Sequence, residues 1–166
     1  RQPGSDKSYS EYFEMPWAGI GDIRVPQDDS QYLGYHPNLK EGATIDLWGV
    51  AHEPGSEAAK HMTYMRCPLK GIDSLEEVKA YPLPDFASGD ASHQKAQADA
   101  IRARGLAVMG SMQCTIWETA WYIRGMEDLM MDMMTDDPIA EYILDAVTER
   151  SIIRAQSYAR AGADLL

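Results

Sequence analysis

An α/β fold built on parallel strands is what this sequence predicts, from a pattern that occurs twice in its second half and from the turn-rich character of its first. In the second half a helix, a glycine and a short apolar strand follow one another. The first copy is Ser92 to Arg104, Gly105, then Leu106-Ala107-Val108-Met109; the second is Pro138 to Ala161, Gly162, then Ala163 to Leu166. Such alternation implies parallel strands joined by right-handed crossovers. Up to about Lys70 the chain is irregular, with short strands expected at Asp22 to Val25, Ile45 to Val50 and His61 to Arg66. The last two flank Glu53-Pro54-Gly55-Ser56, which predicts an antiparallel hairpin.

Local signals place the remaining elements. Ser74-Leu75-Glu76-Glu77 is a capping box, opening a short helix that ends before Pro82. Tyr81-Pro82-Leu83-Pro84-Asp85 is too proline-rich for a helix or a central strand, and reads as a linker between an irregular front, 1–85, and a regular back, 86–166. Asp136-Asp137-Pro138 supplies the cap, the negative charge and the pre-set φ that start the long last helix. On that helix Ala140, Leu144, Val147, Ala155 and Tyr158 share one face, and Asp145, Glu149, Gln156 and Arg160 the other, so one side packs and the other meets water. The polar start at Arg1 to Ser10 and the apolar finish after Gly162 lead us to expect a longer gene. On that expectation the chain holds only part of any active site.

Composition narrows the functional classes. The 166 residues are 45% hydrophobic and 25% charged, an ordinary globular balance, with a net charge of -11 spread along the chain. An acidic surface repels phosphate backbones and anionic headgroups, so no nucleic acid and no membrane is expected as a partner. No apolar run approaches a bilayer span and no secretory pattern opens the sequence, which predicts a cytoplasmic protein. Cys67 and Cys114 stand far apart in apolar company and are expected as reduced packing residues. The ten methionines, with Met130, Met131, Met133 and Met134 crowded together, are expected to fill core volume.

Chemistry in parallel α/β folds gathers at the carboxyl ends of the strands, which directs attention to the segment after Met109. There Gly110-Ser111-Met112-Gln113-Cys114-Thr115 leads into a segment rich in Trp117, Glu118, Trp121, Tyr122 and Arg124. Trp117 and Trp121 lie four apart, as do Glu118 and Tyr122, so each pair shares a helical face. Two accounts are open. Either the tryptophans pack against the sheet and Glu118 faces solvent, or Gln113, Trp117, Glu118, Trp121 and Tyr122 wall a pocket for a flat organic ligand. GxxxxGK[ST], GxGxxG, GxSxG and HExxH are all missing, which removes support for nucleotide-dependent and serine-hydrolase chemistry. His52-Glu53 with His61 could face one another across the hairpin, but nothing in the spacing fixes a metal geometry, and no metal is expected. His36 and His93 read as loop and helix-start residues, and Asp28-Asp29 as a turn.

Several runs taken together resemble the uroporphyrinogen decarboxylase-like superfamily, which includes decarboxylases and corrinoid-linked methyltransferases. They are Asp46-Leu47-Trp48-Gly49-Val50, Cys67-Pro68-Leu69, Ser74-Leu75-Glu76-Glu77 with Tyr81-Pro82-Leu83-Pro84-Asp85, the stretch from Trp117 to Gly125 followed by Glu127, Leu129, Asp132 and Met133, and Gly162-Ala163-Asp164. The resemblance extends from about Tyr9 onward. It implies part of a (β/α)₈ TIM barrel, about strands two to four, with the antiparallel hairpin as an insertion. Asp22 to Val25, Leu106 to Met109 and Ala163 to Leu166 are then the second, third and fourth strands.

In that family a catalytic Asp ends the second strand, and Asp22-Ile23-Arg24 is the nearest match. Asp22 is then either the catalytic acid or a structural acid at the strand's beginning. The family's active-site tyrosine falls on Trp121, with Tyr122 beside it, a departure from the decarboxylase pattern. Only Arg24 and Arg124 lie near candidate pocket segments, few for a ligand with many carboxylates. The resemblance implies a small-molecule substrate, a homodimer or self-association, or pairing with the remainder of the barrel. No cofactor is implied in the decarboxylase branch, and zinc or a corrinoid in the methyltransferase branch. Three outcomes follow: decarboxylation of a porphyrinogen or related carboxylic acid, corrinoid-dependent methyl transfer, or an inactive folded fragment of either.

Overall fold

A computed structural model describes residues 9–59, 62–112 and 114–166. In chain order the elements are α1 (Tyr9–Tyr12), β1 (Trp17–Ile20), a 3₁₀ turn (Asp29–Tyr35), β2 (Thr44–Ile45), β3 (Ala51–Pro54), a second 3₁₀ turn (Glu57–Ala59), β4 (Thr63–Arg66), α2 (Leu75–Lys79), α3 (Ser92–Ala103), β5 (Ala107–Gly110), α4 (Trp117–Arg124), α5 (Met126–Met134) and α6 (Pro138–Ala161). The chain is mixed α/β and divides into two compact units. Among the described residues one comprises 9–24, 86–112 and 152–166; the other comprises 25–59, 62–85 and 114–151.

In the first unit β1 and β5 pair in parallel, from Trp17 against Ala107 to Ile20 against Gly110, and α3 lies on the connection between them. The first strand therefore lies at Trp17–Ile20, five residues before the expected Asp22 to Val25, where only Arg24 forms an isolated bridge with Asp90. Glycines disguise it in the sequence: Gly19 and Gly21 suggest a turn, yet Gly19 lies against Met109. The expected strand Ala163 to Leu166 is reduced to one parallel bridge between Met109 and Leu165. Its register is taken over by a side chain, because the Asp164 carboxylate accepts the Val108 N–H at 2.8 Å while Asp164 N–H donates to the Val108 carbonyl. Ile20, Ala98, Ile101, Val108, Tyr158 and Ala161 form the core of this unit.

The second unit contains the antiparallel sheet β2-β3-β4, with Ala51 opposite Arg66 and Pro54 opposite Thr63. The hairpin is present, but its first strand starts at Ala51 rather than Ile45. Asp46 makes the difference: its Oδ1 accepts the N–H groups of Trp48 and Val50, its carbonyl accepts from Gly49, and Gly49 adopts φ +78°. That Asx-type turn breaks an otherwise apolar run. Tyr81 and Tyr32 press on Gly49 so closely that an added Cβ would stand 1.9 Å from the Tyr81 hydroxyl. The proline-rich segment expected as a linker thus carries Tyr81 into the core with Val50, Leu69, Ile123, Leu129 and Val147.

The Ser74 hydroxyl caps α2 by accepting the Glu77 N–H. Helix α6 shows the expected two faces, with Ala140, Val147 and Tyr158 buried and Asp145, Glu149, Gln156 and Arg160 exposed. Residues 138–151 of it belong to the second unit and 152–161 to the first. The methionine expectation fails: Met130, Met131, Met133 and Met134 are all exposed. Helix α5 is nine residues long and turns only Leu129 and Asp132 inward, so adjacent methionines necessarily point out. Cys67 is half-buried but Cys114, expected to pack, is exposed. Among the described residues no helix is long and apolar enough to cross a membrane.

Candidate functional site

The parallel register aligns the carboxyl ends of β1 and β5, so Gly21-Asp22 and Ser111-Met112 leave the sheet side by side. Asp22, expected within a strand, instead lies two residues past one, at the end where parallel α/β folds place their chemistry. Its carboxylate is fixed from two sides. Oδ1 accepts the Ile23 N–H at 2.8 Å, and Oδ2 accepts Arg154 Nε at 2.7 Å and a terminal guanidinium nitrogen at 2.5 Å. The Arg154 guanidinium lies 5.4 Å from the Phe86 ring centroid, a cation–π contact that limits where the fork can point.

Around this pair the first turns of α3 and the end of α6 supply further polar groups. Gly21 N–H donates to Gln97 Oε1 at 2.8 Å, Gln94 Nε2 donates to the Gly21 carbonyl at 3.0 Å, and Ser157 Oγ donates to Gln94 Oε1. Gln94 and Ser157 are buried, so this chain fixes the backbone immediately before Asp22. A Cβ at Gly21 would stand 3.1 Å from His93 Nε2, while His93 Nδ1 is the buried side-chain nitrogen or oxygen without a hydrogen-bond partner among the described residues. Tyr158 donates its hydroxyl to the Ser111 carbonyl at 3.2 Å. Burial first, and then the charge of Asp22, push that hydroxyl up to about 12.

Chemically this is an oriented carboxylate, about a third exposed at 32%, backed by a guanidinium. It can accept a hydrogen bond from a ligand above the strand ends or stabilise positive charge developing on it. Two grooves of the unit lie elsewhere. One of about 400 Å³ is lined by Glu11, Glu14, Trp17 and Arg104, and one of about 430 Å³ by Gln94, Lys95, Ser157 and Arg160. Asp22 lines neither.

The aromatic residues expected as a pocket wall belong to the second unit. Gln113 lies outside the described residues. Trp117 and Glu118 are exposed on α4, whereas Trp121 and Tyr122 are half-buried against the core. The ring contact joins neighbours, with Trp121 and Tyr122 edge-to-face at 4.2 Å between centroids. Cys114 Sγ lies 3.7 Å from the Tyr122 hydroxyl, and that contact, with burial second, raises the Tyr122 pKa. Burial raises the Cys67 thiol, which donates to the Trp121 carbonyl at 3.8 Å.

Arg124, counted from the sequence among pocket arginines, is only 2% exposed. It binds Asp132 through Nε at 2.7 Å and the carbonyls of Leu69 and Ile72 at 2.7 and 2.8 Å. It is a core clamp. Arg24 is exposed, and its backbone pairs with Asp90.

The histidines take separate partners. His52 Nε2 meets Asp46 Oδ2 at 3.0 Å, and buried Glu53 pairs with Arg66 at 2.9 Å and Lys40 at 3.5 Å. His61 lies outside the described residues, and no three metal-capable side chains converge among those described. His36, expected in a loop, is buried with Nε2 2.6 Å from the Gly49 carbonyl.

Sequence reasoning missed Arg154, Gln94, Gln97 and Ser157 as neighbours of the candidate site. One signal was present: Arg154 stands four residues before Tyr158 on the apolar stripe of α6, where a charge demands a partner. Comparison of the chain with family models, with curated proteins and with solved structures gives no match.

Proposed function

We propose that the first unit is part of a (β/α)₈ barrel of the uroporphyrinogen decarboxylase-like type, about its second to fourth strands, acting on a porphyrinogen or related carboxylic acid. The observation that carries this reading is the position of Asp22, two residues past the end of a parallel strand and anchored by Arg154. The sequence resemblance asks for a functional carboxylate at the end of the second strand. The parallel order β1-β5, extended by the bridge at Leu165, is compatible with three neighbouring barrel strands. In the proposed reaction the bond to the leaving carboxylate breaks and CO₂ departs. The electron pair is taken up by a ring of the ligand that has accepted a proton from solvent. A second solvent proton then replaces the lost carboxylate and the ring proton returns to solvent, so one proton is consumed per CO₂ released. Asp22 stabilises that cation, and the Gln94-Gln97-Ser157 bonds keep its backbone in place while charge shifts.

The test is incubation of the protein with chemically reduced uroporphyrin under anaerobic conditions, with products separated by carboxylate number. Products with fewer carboxylates, lost in a folded Asp22→Asn variant, are the expected result. Neither product nor quenching of tryptophan fluorescence by the tetrapyrrole would remove the reading. Demethylation of methylcobalamin in place of decarboxylation would reassign the protein to the methyltransferase branch.

A further inference from the structure

Helix α5 presents an apolar face to solvent. Met126, Met130, Met131, Met133 and Met134 are between 43% and 79% exposed, while Leu129 and Asp132 face the core. At about 100° per residue, the five methionines fall within about 160° of the helix circumference, with the exposed Glu127 between Met134 and Met131. Beside them a groove of about 350 Å³ is lined by Met133, Pro138, Ala140 and Leu144 together with Asp136, Asp137 and Glu141. Isolated exposed apolar residues are ordinary; a contiguous set on one short helix running into a groove marks a contact surface.

The charge around this face specifies what would cover it. From Gly125 to Glu149 the sequence contains no Lys, Arg or His, and Glu127, Asp136 and Glu141 are exposed there. The acid among them that faces inward, Asp132, already has its partner in Arg124. Lys70, packed at Gly125, stands at the start of α5, away from the groove at its other end. A second copy of the chain would bring the same acidic rim against itself, with a net charge of -11 on each.

We propose that the methionine face of α5 and the adjoining groove dock a Lys/Arg-bearing amphipathic helix of a partner protein. Unbranched, polarisable methionines adapt to the apolar ridge of such a helix, and the rim of Asp136, Asp137 and Glu141 pairs with its cationic flanks. This surface lies in the second unit and does not depend on the role proposed for Asp22.

The test uses a fluorescein-labelled amphipathic Leu/Lys peptide of about fourteen residues, followed by anisotropy at about 0.15 M salt. Two control peptides accompany it: one of the same composition with Leu and Lys no longer segregated, and one with Glu in place of Lys. We expect roughly micromolar binding of the first and at least about tenfold weaker binding of both controls. The triple variant Met130→Gln, Met131→Gln, Met134→Gln alters exposed positions, so its circular dichroism should match the parent, while its affinity for the Leu/Lys peptide should fall about tenfold or more. In protein carrying ¹³C-methyl methionine, the α5 methyl resonances should shift on addition of the peptide. Parental affinity in the triple variant, or equal binding of the non-segregated peptide, would overturn the proposal. So would a concentration-dependent dimer in sedimentation that the triple variant abolishes, since it places a second copy on this face.

Discussion

Arg154 on α6 donates through Nε to Asp22 Oδ2 at 2.7 Å, fastening the residue that follows β1 to the helix that precedes the bridge at Leu165. The arginine side chain is 11% exposed and the aspartate 32%, so the pair is desolvated on one side only. Arg154→Met keeps the aliphatic packing and removes the charge, leaving Asp22 without its fork. The expected cost is about 1–3 kcal/mol in urea unfolding, with a smaller cost for Asp22→Asn and a coupling of about 1 kcal/mol in the double-mutant cycle. A coupling indistinguishable from zero would mean the two are merely adjacent.

The Arg124–Asp132 pair should behave more severely, because both side chains are buried and Arg124 also holds two carbonyls. Burial works against the guanidinium charge, and the bond to Asp132 outweighs it, so the Arg124 pKa is raised. Asp132→Ala strands a buried cation and is expected to cost about 3–5 kcal/mol. Arg124→Met combined with Asp132→Leu should recover part of that loss, which chemical denaturation of the three variants would show.

The alkaline limb of the stability profile should report Tyr158. Its folded-state value, about 12, lies above the ordinary 10, so the unfolded chain releases this proton first. The stability linked to it is complete below about pH 10 and is lost as the pH rises from about 10 to about 12, with a slope of about 1.4 kcal/mol per pH unit. Burial also raises Tyr32 and Tyr81, so the whole-protein slope exceeds that of one proton. Tyr158→Phe should lower the slope by about one proton, measured as urea midpoints across this pH range. An unchanged slope would show that Tyr158 titrates normally.

What the sequence disclosed depended on whether the deciding interaction was local. The caps at Ser74 and Asp137, the glycines after α3 and α6, and the two faces of α6 are short-range matters of propensity and period, and they fall where expected. Strands decided by distant partners do not. Trp17–Ile20 is a strand because β5, some ninety positions later, pairs with it, whereas Asp164 takes a ladder position with its side chain. The candidate site divides in the same way. Asp22 was legible as a residue but not as a position, since its place after β1 depends on that long-range register. Arg124 looked like a ligand-binding cation because nothing local reveals that Asp132 and two carbonyls surround it.

The aromatic segment of α4 offers a direct contrast between packing and binding. Trp121 is half-buried against the core that includes Ala120 and Ile123, and its ring meets Tyr122 edge-on, so Trp121→Ala removes packed area. The expected loss is about 2–3 kcal/mol, below the 3–5 kcal/mol of a fully buried tryptophan. Glu118 is exposed one turn earlier, and Glu118→Gln should change stability by less than about 0.5 kcal/mol. The two accounts of this helix part at the ligand. If α4 is a pocket wall, Glu118→Gln weakens quenching of tryptophan fluorescence by a tetrapyrrole while unfolding stays parental, and Trp117→Phe, at an exposed position, weakens it as well. If α4 only packs, both variants bind as the parent does, and Trp121→Ala alone is altered, in its unfolding. Titrations of the three variants set beside their denaturation curves decide between them. Parental binding in both Glu118→Gln and Trp117→Phe would end the pocket reading of α4.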